Sequence, residues 1–281
     1  MATAGSEPAE SALFSARMIE RSGYDRDGFA ACYDRYRPPP PPGLLRLLTT
    51  LAQVERPGLV VDLGAGTGLS TRAWAGRAGR AAGIEPNPRM AVHARAATPQ
   101  PEIRYLVAYG HRTGLATGRA DLVTCAQAFH WMEPAPVLAE AARLLRSGGV
   151  FAAYDYDLPP VVQPEADAAF AAHFTARARA RERLGLAAGS VSWPKQRHLA
   201  QIEASGHFRF AREVVYHGWQ ETDAARLTGL AESLGGPPEL YEDQAPEFTE
   251  TFRLLRDTAR RALGTRPWPM ALCYRVRVGI R

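Results

Sequence analysis

Two hydrophobic rhythms alternate along the chain. Short apolar runs bounded by glycine and polar residues are followed by segments in which apolar residues recur every three or four positions, the pattern of an α/β protein. Leu59 to Val61, with Leu63, has the β-branched character of a buried parallel strand. It breaks at Gly64, Gly66 and Gly68 and turns helix-like from Leu69 to about Arg77. Further strands are expected over Arg80–Glu85, Ile103–Ala108, Asp121–Ala126 and Val150–Asp155. A helix from Pro134 to Arg146 has proline at its start and Ser147-Gly148-Gly149 at its end.

Beyond the fifth strand the pattern predicts an alanine-rich helical insertion over 160–190, with Phe170 and Phe174 at i, i+4. A helix near 195–205, a strand near 208–217, helical pieces over 223–235 and 246–263 and a last strand from Leu272 to Ile280 follow. The alternation in that last strand suits a half-exposed edge.

At the other end, residues 1–10 are small and polar, as in a disordered terminus. Helical patterns run from Ser11 to Gly23 and from Asp27 to Tyr36, and prolines 38 to 42 predict an extended spacer. Leu44, Leu45, Leu47, Leu48, Leu51 and Val54 then mark a helical face to pack on the sheet. This divides the chain into an arm or lid (1–43), a core (44–157) and a remainder of the same domain (158–281) with cap insertions at about 160–190 and 223–263.

Strand, glycine turn and helix together make a ligand site, because glycines let a ligand approach backbone N–H groups. A dinucleotide fingerprint reads G-x-G-x-x-G. Here the glycines stand one residue closer, and Asp62 precedes them. A carboxylate there repels pyrophosphate and suits a ligand carrying an ammonium and a sulfonium. Glu85, 21 residues after Gly64, ends the second strand, where a carboxylate can accept both hydroxyls of a ribose.

The Asp62-x-Gly64-x-Gly66-x-Gly68 cluster resembles motif I of the class I S-adenosylmethionine (AdoMet) dependent methyltransferases, in their bacterial small-molecule branch. Pro86, Asn87, Pro88 and Met90 are similar to the segment that follows the family's second strand. Gln127-Ala128-Phe129-His130-Trp131 is similar to its A-x-x-x-H-W segment, and Leu145 to Val150 to its L-x-P-G-G motif, with Ser147 replacing the proline. The resemblance implies a Rossmann-like seven-stranded sheet of order 3-2-1-4-5-7-6, last strand antiparallel, with N-terminal lid helices and a helical cap. It implies AdoMet as cofactor and S-adenosylhomocysteine as product.

The residues expected at the cofactor are Tyr33, Arg37, Asp62, Gly64, Ala65, Gly66, Gly68, Glu85, Pro86, Met90, Gly110, His111, Gln127 and Phe129. Where relatives place an acid and a small residue on the adenine edge, this chain has Tyr109, Gly110 and His111. His130, His217 and Tyr24 are candidate bases for an acceptor that must lose a proton; an enolate or acidic phenol needs none. Trp131, Tyr154, Tyr156, Phe170, Phe174, Trp193 and Trp219 make the variable half aromatic and point to a small hydrophobic or aromatic acceptor.

Bulk properties narrow the field. Cys32, Cys125 and Cys273 are odd in number and lack C-x-x-C spacing, which fits a reducing cytoplasm and argues against a bound metal. No secretory signal and no membrane-length apolar run is read. The charge is +5, yet Arg177, Arg179, Arg181 and Arg183 wind around a helix instead of forming a stripe, so nucleic acid is not expected. Lys195 is the single lysine among 34 basic residues. Monomer and homo-oligomer stay equally open. Two other readings compete: an AdoMet-binding protein that does not methylate, and an NAD-dependent oxidoreductase, which Asp62 and the glycine spacing oppose.

Overall fold

The computed structural model describes residues 24, 26–186, 192–236, 238–241 and 245–281. The expected disorder of residues 1–10 and helix from Ser11 to Gly23 lie outside them. Seven strands form one sheet in the order β3-β2-β1-β4-β5-β7-β6. They are β1 (Leu59–Leu63), β2 (Arg80–Ile84), β3 (Ile103–Leu106), β4 (Ala120–Ala126), β5 (Leu145–Tyr156), β6 (Phe210–Thr222) and β7 (Trp268–Ile280). The first five run parallel, and β7 is antiparallel to both β5 and β6.

Helices cover both faces, as a parallel sheet requires. In chain order they are α1 (Phe29–Tyr36), α2 (Pro42–Leu51), α3 (Leu69–Arg72), α4 (Pro88–Ala96), α5 (Pro134–Leu144), α6 (Pro164–Arg183), α7 (His198–Ala204), α8 (Ala224–Glu232) and α9 (Pro246–Leu263). Leu44 and Leu48 of α2, Leu227 of α8 and Leu255 of α9 share one core with Val60, Leu122 and Tyr154. Val137, Leu138 and Ala141 of α5 and Ile202 of α7 share the opposite core with Val61, Val123 and Phe151.

Four expectations are corrected. The last strand is interior: Val276 and Val278 are buried, and β6 is the edge. Its alternation misleads because Arg277 is itself buried, held by Asp155 and Glu213. Ser147-Gly148-Gly149 does not end a helix; α5 stops at Leu144 and β5 starts at once, Leu145 pairing with Ala120. The helix after the glycine loop is one turn long, and Trp74 beyond it is buried in the core. The proline run is more than a spacer, since Pro38 and Pro40 are buried. Gly218 of β6 leaves the room in which Pro41 sits; a Cβ there would lie 2.7 Å from the ring.

One helix was unforeseen. Asn87 caps α4, its side-chain oxygen accepting from the Arg89 N–H at 2.9 Å and, more weakly, the Met90 N–H at 3.4 Å, with Pro88 in the first turn.

Candidate functional site

The carboxyl ends of β1, β2, β4 and β5 converge, the position at which open α/β sheets bind ligands. The loop after β1 is anchored to β2: the N–H groups of Gly64 and Ala65 both donate to the Ile84 carbonyl, at 2.8 and 3.0 Å. Gly64 has φ +73°, and a Cβ on it would lie 2.6 Å from the Ala128 methyl. Only glycine lets the loop press against the segment after β4.

Asp62 has a task beyond the one its motif suggests. It is fully buried, and both oxygens are engaged. Oδ2 accepts from Ser70 at 2.5 Å and Thr71 at 2.7 Å, and Oδ1 from Thr124 at 2.8 Å. Burial raises its pKa, and the three hydroxyls oppose that shift. Asp62 thus ties β1 to α3 and β4 and so shapes the loop, a structural task in addition to the grip on a cationic ligand that its motif leads one to expect.

Glu85 stands at the loop itself. Its Oε2 accepts from the Gly66 N–H and its Oε1 from the Asn87 N–H, each at 2.8 Å. Burial pushes its pKa up to about 7, against the pull of these two bonds. Each oxygen keeps a lone pair beyond the backbone bond, so the carboxylate can still accept a pair of hydroxyls. Close by, the Asn87 Nδ2 donor is buried with no partner among the described residues. Met90 flanks the loop, its methyl 3.8 Å from where a Gly66 Cβ would stand. This donor set and glycine cradle fit an adenosyl group.

Beside the loop lies a narrow cleft. Tyr33, Arg37, Gly64, Ala65, Gln127, Tyr154 and Tyr156, all expected in the site, line it together with Pro38, Pro40, Leu69, Ser70, Ala126 and Tyr274. Arg37 is buried there; Nη1 donates to the Tyr156 hydroxyl at 2.6 Å, while Nε and Nη2 donate to the Ser233 carbonyl. Its guanidinium lies 4.8 Å from the Tyr33 ring centroid. The Tyr154 hydroxyl is buried without a partner among the described residues. Asp34 of α1 is ion-paired with Arg72 of α3, which fastens the arm to the motif helix.

His130 sits in a short 3₁₀ turn after β4. Its Nδ1 faces Asp155 Oδ1 at 3.7 Å. Burial first, then the Lys195 ammonium, push its pKa down to about 3, so it is a neutral and weakly basic imidazole. Lys195 takes Asp155 Oδ1 at 2.8 Å and Gln127 Oε1 at 3.0 Å. Asp155 Oδ2 faces Arg277 at 3.2 Å. Burial opposes ionisation of Asp155, but Lys195 together with His130 and His198 outweighs it and the carboxyl stays below its usual range. Tyr24 reaches the same turn, its ring centroid 6.5 Å from that of Trp131. Trp193 is attached there too, its backbone N–H donating to the His130 carbonyl at 2.7 Å.

Other expected residues are placed elsewhere. His217 is exposed on the edge strand β6, as is Trp219 at 69% exposure. Phe170 is core, in the same cluster as Tyr154 and Tyr156, and Phe174 is exposed on α6. None of these four lines the cleft; strand alternation and helix pitch turn them elsewhere. Phe129 is also core, its ring against Phe151 and His198, which leaves only its backbone to meet a ligand. His111 is exposed and stacked on Tyr109, Gly110 is buried against Met132, Gly68 faces the Tyr105 hydroxyl, and Pro86 is half-buried beside Glu85. Sequence reasoning missed Tyr274, Asp155 and Lys195. The first two carry no signal; Lys195 did, as the only lysine in the chain.

Comparison with known proteins agrees with this geometry. Residues 61–153 match a family described as a methyltransferase domain. An uncharacterised methyltransferase of Mycobacterium tuberculosis is 38% identical over 117 residues, which is 42% of this chain and 46% of the relative. The chain thus matches just under half the length of that curated relative. A structure described as a candidate type II methyltransferase from Anaeromyxobacter dehalogenans is 26% identical, with 87% of this chain and 98% of that one covered at a TM-score of 0.62. The YcgJ protein of Bacillus subtilis shares the fold at 18% identity and a TM-score of 0.53, over 84% and 97% of the two chains. Residues 61–153 thus match a methyltransferase domain, on a sheet whose strand order and glycine loop are those expected of the class I S-adenosylmethionine-dependent methyltransferase fold.

Proposed function

We propose that the chain moves the methyl group of AdoMet to an oxygen, nitrogen or carbon of a small hydrophobic or aromatic molecule, leaving S-adenosylhomocysteine. The observation that carries this reading is Glu85, held on the Gly66 and Asn87 N–H groups with lone pairs to spare for a ribose diol. AdoMet supplies an electrophilic methyl on a sulfonium. The protein's part is to bind, to orient and to exclude water. Glu85 and the 64–68 backbone would hold the nucleoside, with Met90 against the base. Arg37 and Gln127 would take the amino-acid end, and Tyr24, Tyr33, Trp131, Tyr154 and Tyr156 would shape the acceptor side.

A neutral His130 can accept a proton, but its low basicity favours acceptors that ionise readily, such as enolates and acidic phenols. A narrow, tyrosine- and proline-lined cleft supports a small molecule over nucleic acid as substrate. Free Cys32, Cys125 and Cys273 support a cytoplasmic setting. Incubation with AdoMet and a panel of phenols, enols and amines, read as S-adenosylhomocysteine release by mass spectrometry, tests this. Turnover with an apolar oxygen acceptor is expected; binding of AdoMet without turnover of any class would favour the non-methylating reading.

A further inference from the structure

The chain uses arginine at every basic position except 195. That one lysine lies where a compact ammonium and a planar guanidinium differ most. Its Nζ bridges Asp155 Oδ1 and Gln127 Oε1, with His130 Nδ1 3.7 Å from the same carboxylate oxygen. Gln127, at the end of β4, has φ +52°, the left-handed region that a residue with a Cβ seldom enters. It lines the cleft, whereas Lys195 and Asp155 do not. With Oε1 on Lys195, the carboxamide has its Nε2 on the side of Tyr156, a cleft residue whose carbonyl is a long 3.5 Å away.

Other groups of the cleft add donors and no negative charge. Among the described residues Arg37 uses three of its five N–H groups and keeps two. The Tyr154 hydroxyl is unpartnered among the described residues, and its residue is 2% exposed. Asp62 has turned both oxygens to hydroxyls. No carboxylate lines the cleft among the described residues.

We propose that Lys195 is a positioning residue that locks the Gln127 carboxamide with its N–H groups toward the cleft, where they serve the carboxylate of the methyl donor's amino-acid end. This rests on the methyl-donor reading above. Asp155 holds the lysine in place and keeps Arg277 as a second partner, so loss of Lys195 does not strand a buried carboxylate. An arginine at 195 would restore charge beside Asp155, but its flat, longer head cannot occupy the same point between the two oxygens.

The test is calorimetric affinity for two nucleosides, S-adenosylhomocysteine and 5′-methylthioadenosine, which lacks the amino acid. Lys195→Met should weaken S-adenosylhomocysteine about tenfold, or about 1.4 kcal/mol, and leave 5′-methylthioadenosine unchanged. Lys195→Arg should keep the wild-type melting temperature without recovering that affinity. Lys195→Met combined with Gln127→Ala should bind no more weakly than Gln127→Ala alone, the sign of two residues acting as one. Equal loss of both nucleosides, full affinity in Lys195→Met, or additive losses would overturn the proposal while sparing the donor reading. Wild-type protein that binds neither nucleoside would overturn both.

Discussion

The Gly66 N–H donates to Glu85 Oε2 at 2.8 Å, joining the glycine loop after β1 to the acid that ends β2. That bond fixes the two parts of the proposed nucleoside site relative to each other before any ligand arrives. A site so organised loses less conformational freedom on binding.

Removing Glu85 should therefore act on binding and on pH dependence together. Its pKa is raised to about 7 from 4.5. The folded chain retains the proton between those values and the unfolded chain does not. Glu85 thus favours the fold below pH 4.5 and loses that contribution as pH rises through 7. Between pH 5 and 8, wild type should lose on the order of 1–3 kcal/mol more stability than Glu85→Gln. Urea denaturation at both pH values measures the difference; equal slopes for the two proteins would contradict it.

Asp62 should behave as a structural residue. Asp62→Ala leaves Ser70, Thr71 and Thr124 without their acceptor and should cost about 2–4 kcal/mol. Thr124→Val removes one bond and should cost about 1 kcal/mol. Chemical denaturation reads both. An Asp62→Ala protein as stable as wild type, yet unable to bind the donor, would leave the direct contact as its only role.

His130 should stay neutral across the physiological range. Because its folded pKa is depressed to about 3, its contribution to stability is present above pH 6.5 and is lost as pH falls toward 3. Imidazole resonances followed by NMR should show a midpoint well below that of a free histidine. A midpoint near 6.5 would contradict the burial and the Lys195 repulsion invoked here.

Arg37 should couple the arm to the cap as well as to the ligand. Arg37→Met severs Tyr156 and the Ser233 carbonyl, and should lower both the melting temperature and S-adenosylhomocysteine affinity. Lost stability with unchanged affinity would make Arg37 a strut and nothing more.

The sheet and the glycine loop were legible because buried parallel strands and alternating glycines leave local marks in sequence. Glu85 was legible through its distance from Gly64. The structural task of Asp62 was not legible, because a motif records which residue is present and not which way its oxygens point; Ser70, Thr71 and Thr124 decide that in three dimensions. The edge assignment of the last strand failed on Arg277, whose burial depends on Asp155, 122 residues away. His217 and Trp219 looked like site residues by chemistry, but register on β6 turns them outward. Lys195 was visible as an oddity of composition, and its use became apparent only when Asp155 and Gln127 were seen on either side of it.

The most direct test of the central claim is calorimetric titration of the chain with S-adenosylhomocysteine, in parallel with Glu85→Ala. One ligand per wild-type chain, with affinity strongly reduced in Glu85→Ala, is the expected result. No binding heat from folded wild-type protein, or equal affinity in the two, would contradict it.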